Sequence, residues 1–291
     1  MKNLERDQVP QPIALDLTNA RARLNRAVKH RLEMATLREA DRDAGSFAAS
    51  RNVVGNTVVI EAKYSAHPDL AIAFGEWLAS LRSGLDYLFF DLAAADTGSN
   101  PPTRQGSRMF PIKETPEQFE QIRNSDTFHG MSDWTVDSIE SMQPYHTKYG
   151  AKGNALLWLH DLARRDRHRM PFKMGALITK FEAKVHPVAG ARGIGMDTID
   201  PEQTAAVVAE GESMYLGRLR CPSATDAEIM SGRIEIWIDQ DLEVATWYRE
   251  AHTSGISANI RNDRLEERMK FIEWYFYTVL EHFETGWHQT S

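Results

Sequence analysis

At 291 residues, with 42% hydrophobic and 26% charged side chains, the chain has the composition of a globular protein able to bury a sizeable core, in one large or two small domains. Its formal charge of −7 argues against a protein that binds nucleic acid regardless of sequence, since that needs a basic surface to neutralise phosphates; only a local basic patch is left for such a partner. Cys221 is the single cysteine, which excludes an internal disulfide and a thiolate zinc site and points to the cytoplasm. The opening MKNLERDQVPQP has no signal-peptide core, and no later run is apolar enough to span a bilayer, so no membrane association is expected.

In chain order, Leu17, Leu24, Val28 and Leu32 predict a helix from about Asp16 to Asp43. Turn chemistry at Arg51–Asn56 precedes a strand at Thr57–Tyr64. Pro68 opens a helix whose Phe74, Trp77, Leu78, Leu81, Leu85, Leu88 and Leu92 recur at steps of three and four, and Asp96–Thr103 closes it with Gly, Ser and Pro. Thr115-Pro116-Glu117-Gln118 is a capping box for a short helix with Phe119 and Ile122 inward. Ser132 caps another, carrying Trp134, Val136, Ile139 and Met142, and a further helix spans about Asn154 to Arg167, ended by Pro171.

Past Pro171 the period changes to two, with Leu177, Thr179, Phe181, Ala183 and Val185 on one face of a strand. Short strands are also expected at Thr204–Glu210, Ser213–Arg220, Arg233–Asp239 and Glu243–Tyr248, forming an antiparallel sheet. Leu265, Met269, Ile272, Phe276, Val279 and Phe283 mark a long closing helix that should pack back on the earlier ones. Helices, then strands, then a helix predict an α+β fold with segregated elements. The division expected is a helical bundle of 1–170 plus 256–291 and a β-rich antiparallel part at 171–255, either separate or a layer of one compact domain.

Two segments carry candidate chemistry. Arg82 and Asp86 lie four residues apart beside the apolar seam of the second helix, where unpaired charges are costly. His160-Asp161-Leu162-Ala163-Arg164-Arg165-Asp166-Arg167-His168-Arg169 crowds two histidines, two aspartates and four arginines toward a helix C-terminus, where the dipole favours cations. This cluster is the expected partner of Arg82 and Asp86, with His168 or His160 as a general base, oriented by Asp166 or Asp86, and arginines for an anion. No full metal ligand set is visible, Gly190, Gly193 and Gly195 form no phosphate loop, Cys221 reads as an inert thiol, and no cofactor is implied.

LASLRSGLDYL at Leu78–Leu88, FPI at Phe110–Ile112, QPY at Gln143–Tyr145 and LARRDRHR at Leu162–Arg169 resemble, in order and spacing, a group of uncharacterised bacterial and phage proteins with the pattern LRSALDHL, FPI, QPY and DKHR. More distantly, the chain is similar to the HEPN helical domains, many of them RNases of toxin and antiviral systems, marked by an arginine followed four to six residues later by a histidine. That resemblance implies a HEPN-like bundle and a homodimer with sites across two chains. Here Tyr87 stands at the histidine position, and a phenol with a pKa of about 10 is a poor general base near neutrality.

Three readings follow. The first is a non-catalytic scaffold or binding protein with a polar network of Arg82, Asp86, Asp166, His168 and Arg169. The second is a HEPN-like RNase or nucleic-acid-associated defence or phage protein with an altered motif, its catalytic residues Arg82, Asp86, Tyr87 and His168, and its substrate held by Arg165, Asp166, Arg169, Gln143 and Tyr145. The third is a phosphoester hydrolase using the same cluster. Acidic net charge and Tyr87 favour the first.

Overall fold

The computed structural model describes residues 13–148, 150–168, 172–189, 191–201, 203–254, 256 and 263–290, and of 167, 168 and 288–290 the backbone alone. The fold is α+β, with two antiparallel sheets. The described helices are α1 (Thr18–Asp43), α2 (Pro68–Thr97), α3 (Pro116–Arg123), α4 (Asp133–Ser141), α5 (Ala155–His168), α6 (Ala224–Ser231), α7 (Ala245–Thr253) and α8 (Leu265–Thr290). The strands are β1 (Phe47–Val54), β2 (Thr57–Tyr64), β3 (Met174–Val185), β4 (Gly195–Thr198), β5 (Val207–Ala209), β6 (Ser213–Arg220) and β7 (Ile234–Val244). No described helix is long and apolar enough to cross a membrane.

The chain divides into two compact units, Met1–His30 with Glu76–Arg169 and Met269–Ser291, and Arg31–Gly75 with Met170–Arg268. The β-rich unit therefore takes in more chain than the expected 171–255. The cause is strand pairing: β2 hydrogen-bonds along β6, which draws the β1–β2 hairpin to the later strands.

The helical unit is built on the apolar seam of α2. Trp77, Leu78, Leu81, Leu85, Leu88, Phe89 and Leu92 are all buried, and α8 returns to them as predicted. Trp77 Nε1 donates to Glu273 at 2.9 Å, and Gly84 lets α8 come close, since a Cβ there would stand 2.6 Å from Phe276 Cε1. Farther along α8, the Phe283 ring lies edge-on to Trp134 at 5.7 Å. Both predicted caps form: Thr115 Oγ1 accepts from Gln118 N at 3.3 Å, and Ser132 Oγ accepts from Thr135 N at 3.2 Å. After buried Leu17, the buried stripe of α1 runs through Ala20, Leu24, Ala27 and Met34, so Leu32, expected inward, is exposed.

In the β-rich unit the expected single sheet is two, β1-β2-β6-β4 and β5-β3-β7. On β3 the alternation read from Leu177 to Val185 fails at its start: Met174 to Ile178 are all buried, and a bulge between Ile178 and Lys180 leaves Thr179 exposed. The strand expected at Glu243–Tyr248 is a correction: β7 ends at Val244 and α7 begins at Ala245, because Trp247, Tyr248 and Ala251 bury at helical spacing.

Candidate functional site

An arginine on an apolar helix face must find partners when it is taken from water. Arg82 is 4% exposed, and its Nη2 donates to the carbonyl of Phe110 at 2.9 Å and meets Asp86 Oδ1 at 2.9 Å. Asp86 Oδ1 accepts from the amide of the same residue, Phe110 N, at 3.0 Å. The pair predicted one turn apart on α2 thus reads both main-chain groups of one residue in the FPI segment. Asp86 keeps part of its carboxylate in water.

The FPI segment lies outside helix and strand, so its backbone groups need side-chain partners. Gln143, of the QPY motif, supplies the next set: its Oε1 accepts from Lys113 N at 2.8 Å, and its Nε2 donates to Pro111 O and to Ile139 O, each at 3.0 Å. Gln143 is fully buried in that role. Just upstream, buried Arg108 donates to the carbonyls of Thr103, Thr127 and His129, fixing where the segment enters. Three of the four sequence motifs therefore meet at Phe110–Lys113, with the Phe110 ring edge-on to Phe89 at 6.3 Å.

The other candidates take different positions. Tyr87 is 38% exposed, and its ring lies beneath the Arg23 guanidinium at 5.4 Å. Tyr145 donates from its hydroxyl to Glu140 Oε1 at 3.2 Å, and burial, then the Glu140 charge, push its pKa up to about 12. Arg165 and Asp166 are half-buried on α5. The side chain of His168 and all of Arg169 lie outside the described residues.

His160 is the titratable group of α5 that senses Arg82. Burial first, and the Arg82 charge second, hold its pKa below the ordinary histidine range. Among the described residues its Nδ1 is buried with no hydrogen-bond partner. An imidazole whose pKa is held down in this way is a weak base with an open acceptor nitrogen, an acid–base capacity close to the clamp. Asp91 and Asp96 are also displaced: burial, then the Asp16 charge, raise Asp91 to about 6, and burial raises Asp96 against hydrogen bonds from Thr135 and Ser132.

Sequence reasoning missed the charges of the β-rich unit. Fully buried Glu243 receives Arg268 Nη2 on both carboxylate oxygens at 2.6 Å, and the guanidinium lies over the Trp247 ring at 4.3 Å. Burial pushes the Glu243 carboxyl up while Arg268 pulls against it. Two residues back on β7, Asp241 pairs with Arg38 and, at 3.2 Å, with Arg264. The available signal was an i, i+2 pair of acids ending a strand that otherwise reads as apolar inward. An open concavity of ≈ 680 Å³ in the same unit is lined by Lys180, Glu182, Lys184, Met196, Trp237 and Asp239.

Cys221 is buried, which raises its thiol pKa. Among the described residues, no three His, Cys, Asp or Glu side chains are grouped to hold a metal ion. No protein-family model matches the chain, and no curated protein or solved structure shows significant similarity to it.

Proposed function

We propose that this chain is a non-catalytic scaffold or binding protein of the cytoplasm, in which Arg82, Asp86 and Gln143 act as a structural clamp on the Phe110–Lys113 backbone. The observation that carries this reading is the engagement of Arg82 on Phe110 O and Asp86 at 4% exposure. A guanidinium so placed stabilises a connection and is poorly presented to an incoming phosphate. Tyr87 supports the same reading from the other side, since it lies under Arg23 on the exposed face of α2.

A second reading, a HEPN-like RNase or another phosphoester hydrolase, draws on one observation: burial and the Arg82 charge hold the His160 pKa below the ordinary histidine range. One experiment separates the two. The parent, Arg82→Ala and His160→Ala are incubated with labelled single-stranded RNA and with an aryl phosphodiester, and each is melted in parallel. The scaffold reading expects no turnover by the parent above buffer and a lowered Tm for Arg82→Ala. RNA or ester cleavage that disappears in His160→Ala at an unchanged Tm would overturn it.

A further inference from the structure

Strand β3 changes its surroundings halfway along. From Gly175 to Leu177 it is the middle strand of its sheet, with β5 on one edge and β7 on the other. Beyond Leu177 the β7 ladder continues to Val185, but β5 has ended, and the strand that precedes it in the chain, β4, is paired to β6 of the other sheet. The ≈ 680 Å³ concavity opens here. Lys180, Glu182 and Lys184 of β3 and Trp237 of β7 line it, together with Met196 and Thr198 of β4.

The open edge can be assigned residue by residue. His186 N donates to Arg233 O, on the β7 side. Main-chain groups of successive residues in an antiparallel strand point to opposite edges, so the N–H and C=O of Phe181, Ala183 and Val185 point away from β7. Among the described residues no main-chain hydrogen bond meets them there. Donors and acceptors alternating at this spacing match one kind of ligand, another extended polypeptide.

The charges along the edge select among peptides. Lys180, Glu182 and Lys184 share the exposed face of β3, while half-buried Phe181, Ala183 and Val185 share the other. On its paired side this row already shows the neighbour it accepts. Asp239, Trp237 and Glu235 of β7 stand opposite Lys180, Glu182 and Lys184, with Ile238 and Ile236 opposite Phe181 and Ala183. An added strand meets the same row from the other side, so the best fit sets acids opposite the two lysines and apolar residues between them. Those charged positions are the non-hydrogen-bonded pairs of the new ladder, where facing side chains come closest.

From this edge we propose that the β-rich unit binds an extended peptide of a partner protein as an added strand along Phe181–Val185, with acidic side chains opposite Lys180 and Lys184. Trp237 and Met196, 48% and 44% exposed, supply apolar surface to the bound strand. Binding here does not depend on the role given to Arg82.

The test titrates the full chain into labelled Gly-Glu-Val-Thr-Val-Glu-Gly and reads fluorescence anisotropy. Binding is expected with a Kd of about 100 μM or tighter. N-methylation of both valines, whose amides face β3 in the added strand, should weaken it by about tenfold or more. Exchanging both glutamates of the peptide for lysine should weaken it about tenfold by setting like charges together, and Lys184→Glu should narrow that preference. Ala183→Pro removes one donor of the open edge and none of the β7 ladder, and should weaken binding while circular dichroism stays that of the parent. No binding of the acidic peptide at about 1 mM, equal binding of its N-methylated form, or equal binding of the basic peptide would each overturn the proposal. So would self-association of the parent that Ala183→Pro abolishes, since a second copy would then hold the edge.

Discussion

Each unit buries an arginine against a carboxylate, and the two are buried differently. Arg82, in the helical unit, divides its donors between a carboxylate that still reaches water and a main-chain carbonyl. Arg268, in the β-rich unit, is clasped by the fully buried Glu243, donates to Asp263 O at 2.8 Å, and is covered by Trp247. The difference teaches that the cost of losing a buried arginine is set by the group it leaves behind. Asp86 can fall back on solvent and keeps its bond to Phe110 N. Glu243 would keep, among the described residues, the bond from Val244 N at 2.8 Å, in an interior where its charge is unsupported.

The sharpest way to break this comparison is to remove each arginine in turn and follow unfolding in urea. Arg268→Ala should lose the most, about 3–5 kcal/mol, because an unpaired charge is stranded in the core. Pairing Arg268→Met with Glu243→Leu should recover most of that loss, since an apolar pair needs no partner. Arg82→Ala should cost less, about 1–3 kcal/mol, the scale of one orphaned buried carbonyl together with the lost charge-assisted bond. Equal losses from the two arginines would show that the water left to Asp86 counts for nothing.

The smallest effect concerns Asp91, which has no arginine in its account at all. Its carboxyl is held near 6, above the ordinary 3.8, so between those values the folded chain keeps a proton that the unfolded chain has released. Stability from this group is therefore fully present below about pH 4 and is lost as pH rises through about 6. Asp91→Asn should raise Tm by about 1–2 °C at pH 7. The gain should shrink to nothing near pH 4, which a melting series in buffers from acid to neutral would read.

Much of the fold was legible because its strongest signals are periodic. The α2 seam, the two capped helices and the inward stripe of α8 follow from spacing alone, and β6 spans the predicted Ser213–Arg220. The turn expected at Arg51–Asn56 overlaps the end of β1, because FAASRNVV is poor in strand formers; the strand holds its place by eight paired positions along β2. The bulge in β3 and the helical turn after Val244 each shift a phase by less than a short window can register. At the site, Arg82, Asp86 and Gln143 were legible in the sequence, and their bonds to the Phe110–Lys113 backbone were not. Their partners at Phe110, Pro111 and Lys113 are main-chain atoms, which no side-chain pattern encodes. Arg268 and Glu243 went unread because an ion pair spanning 25 positions leaves no local spacing to detect.

The central claim, that Arg82, Asp86 and Gln143 exist to hold the FPI backbone, is tested most directly by amide hydrogen exchange at Phe110 and Lys113. Both amides donate to side chains of the clamp, to Asp86 Oδ1 and Gln143 Oε1. In the parent they should exchange slowly although they belong to no helix or strand. Asp86→Ala should release Phe110 and Gln143→Ala should release Lys113, each by about tenfold or more, with α8 amides unchanged. Fast exchange at both positions in the parent, or protection that survives both substitutions, would contradict the account.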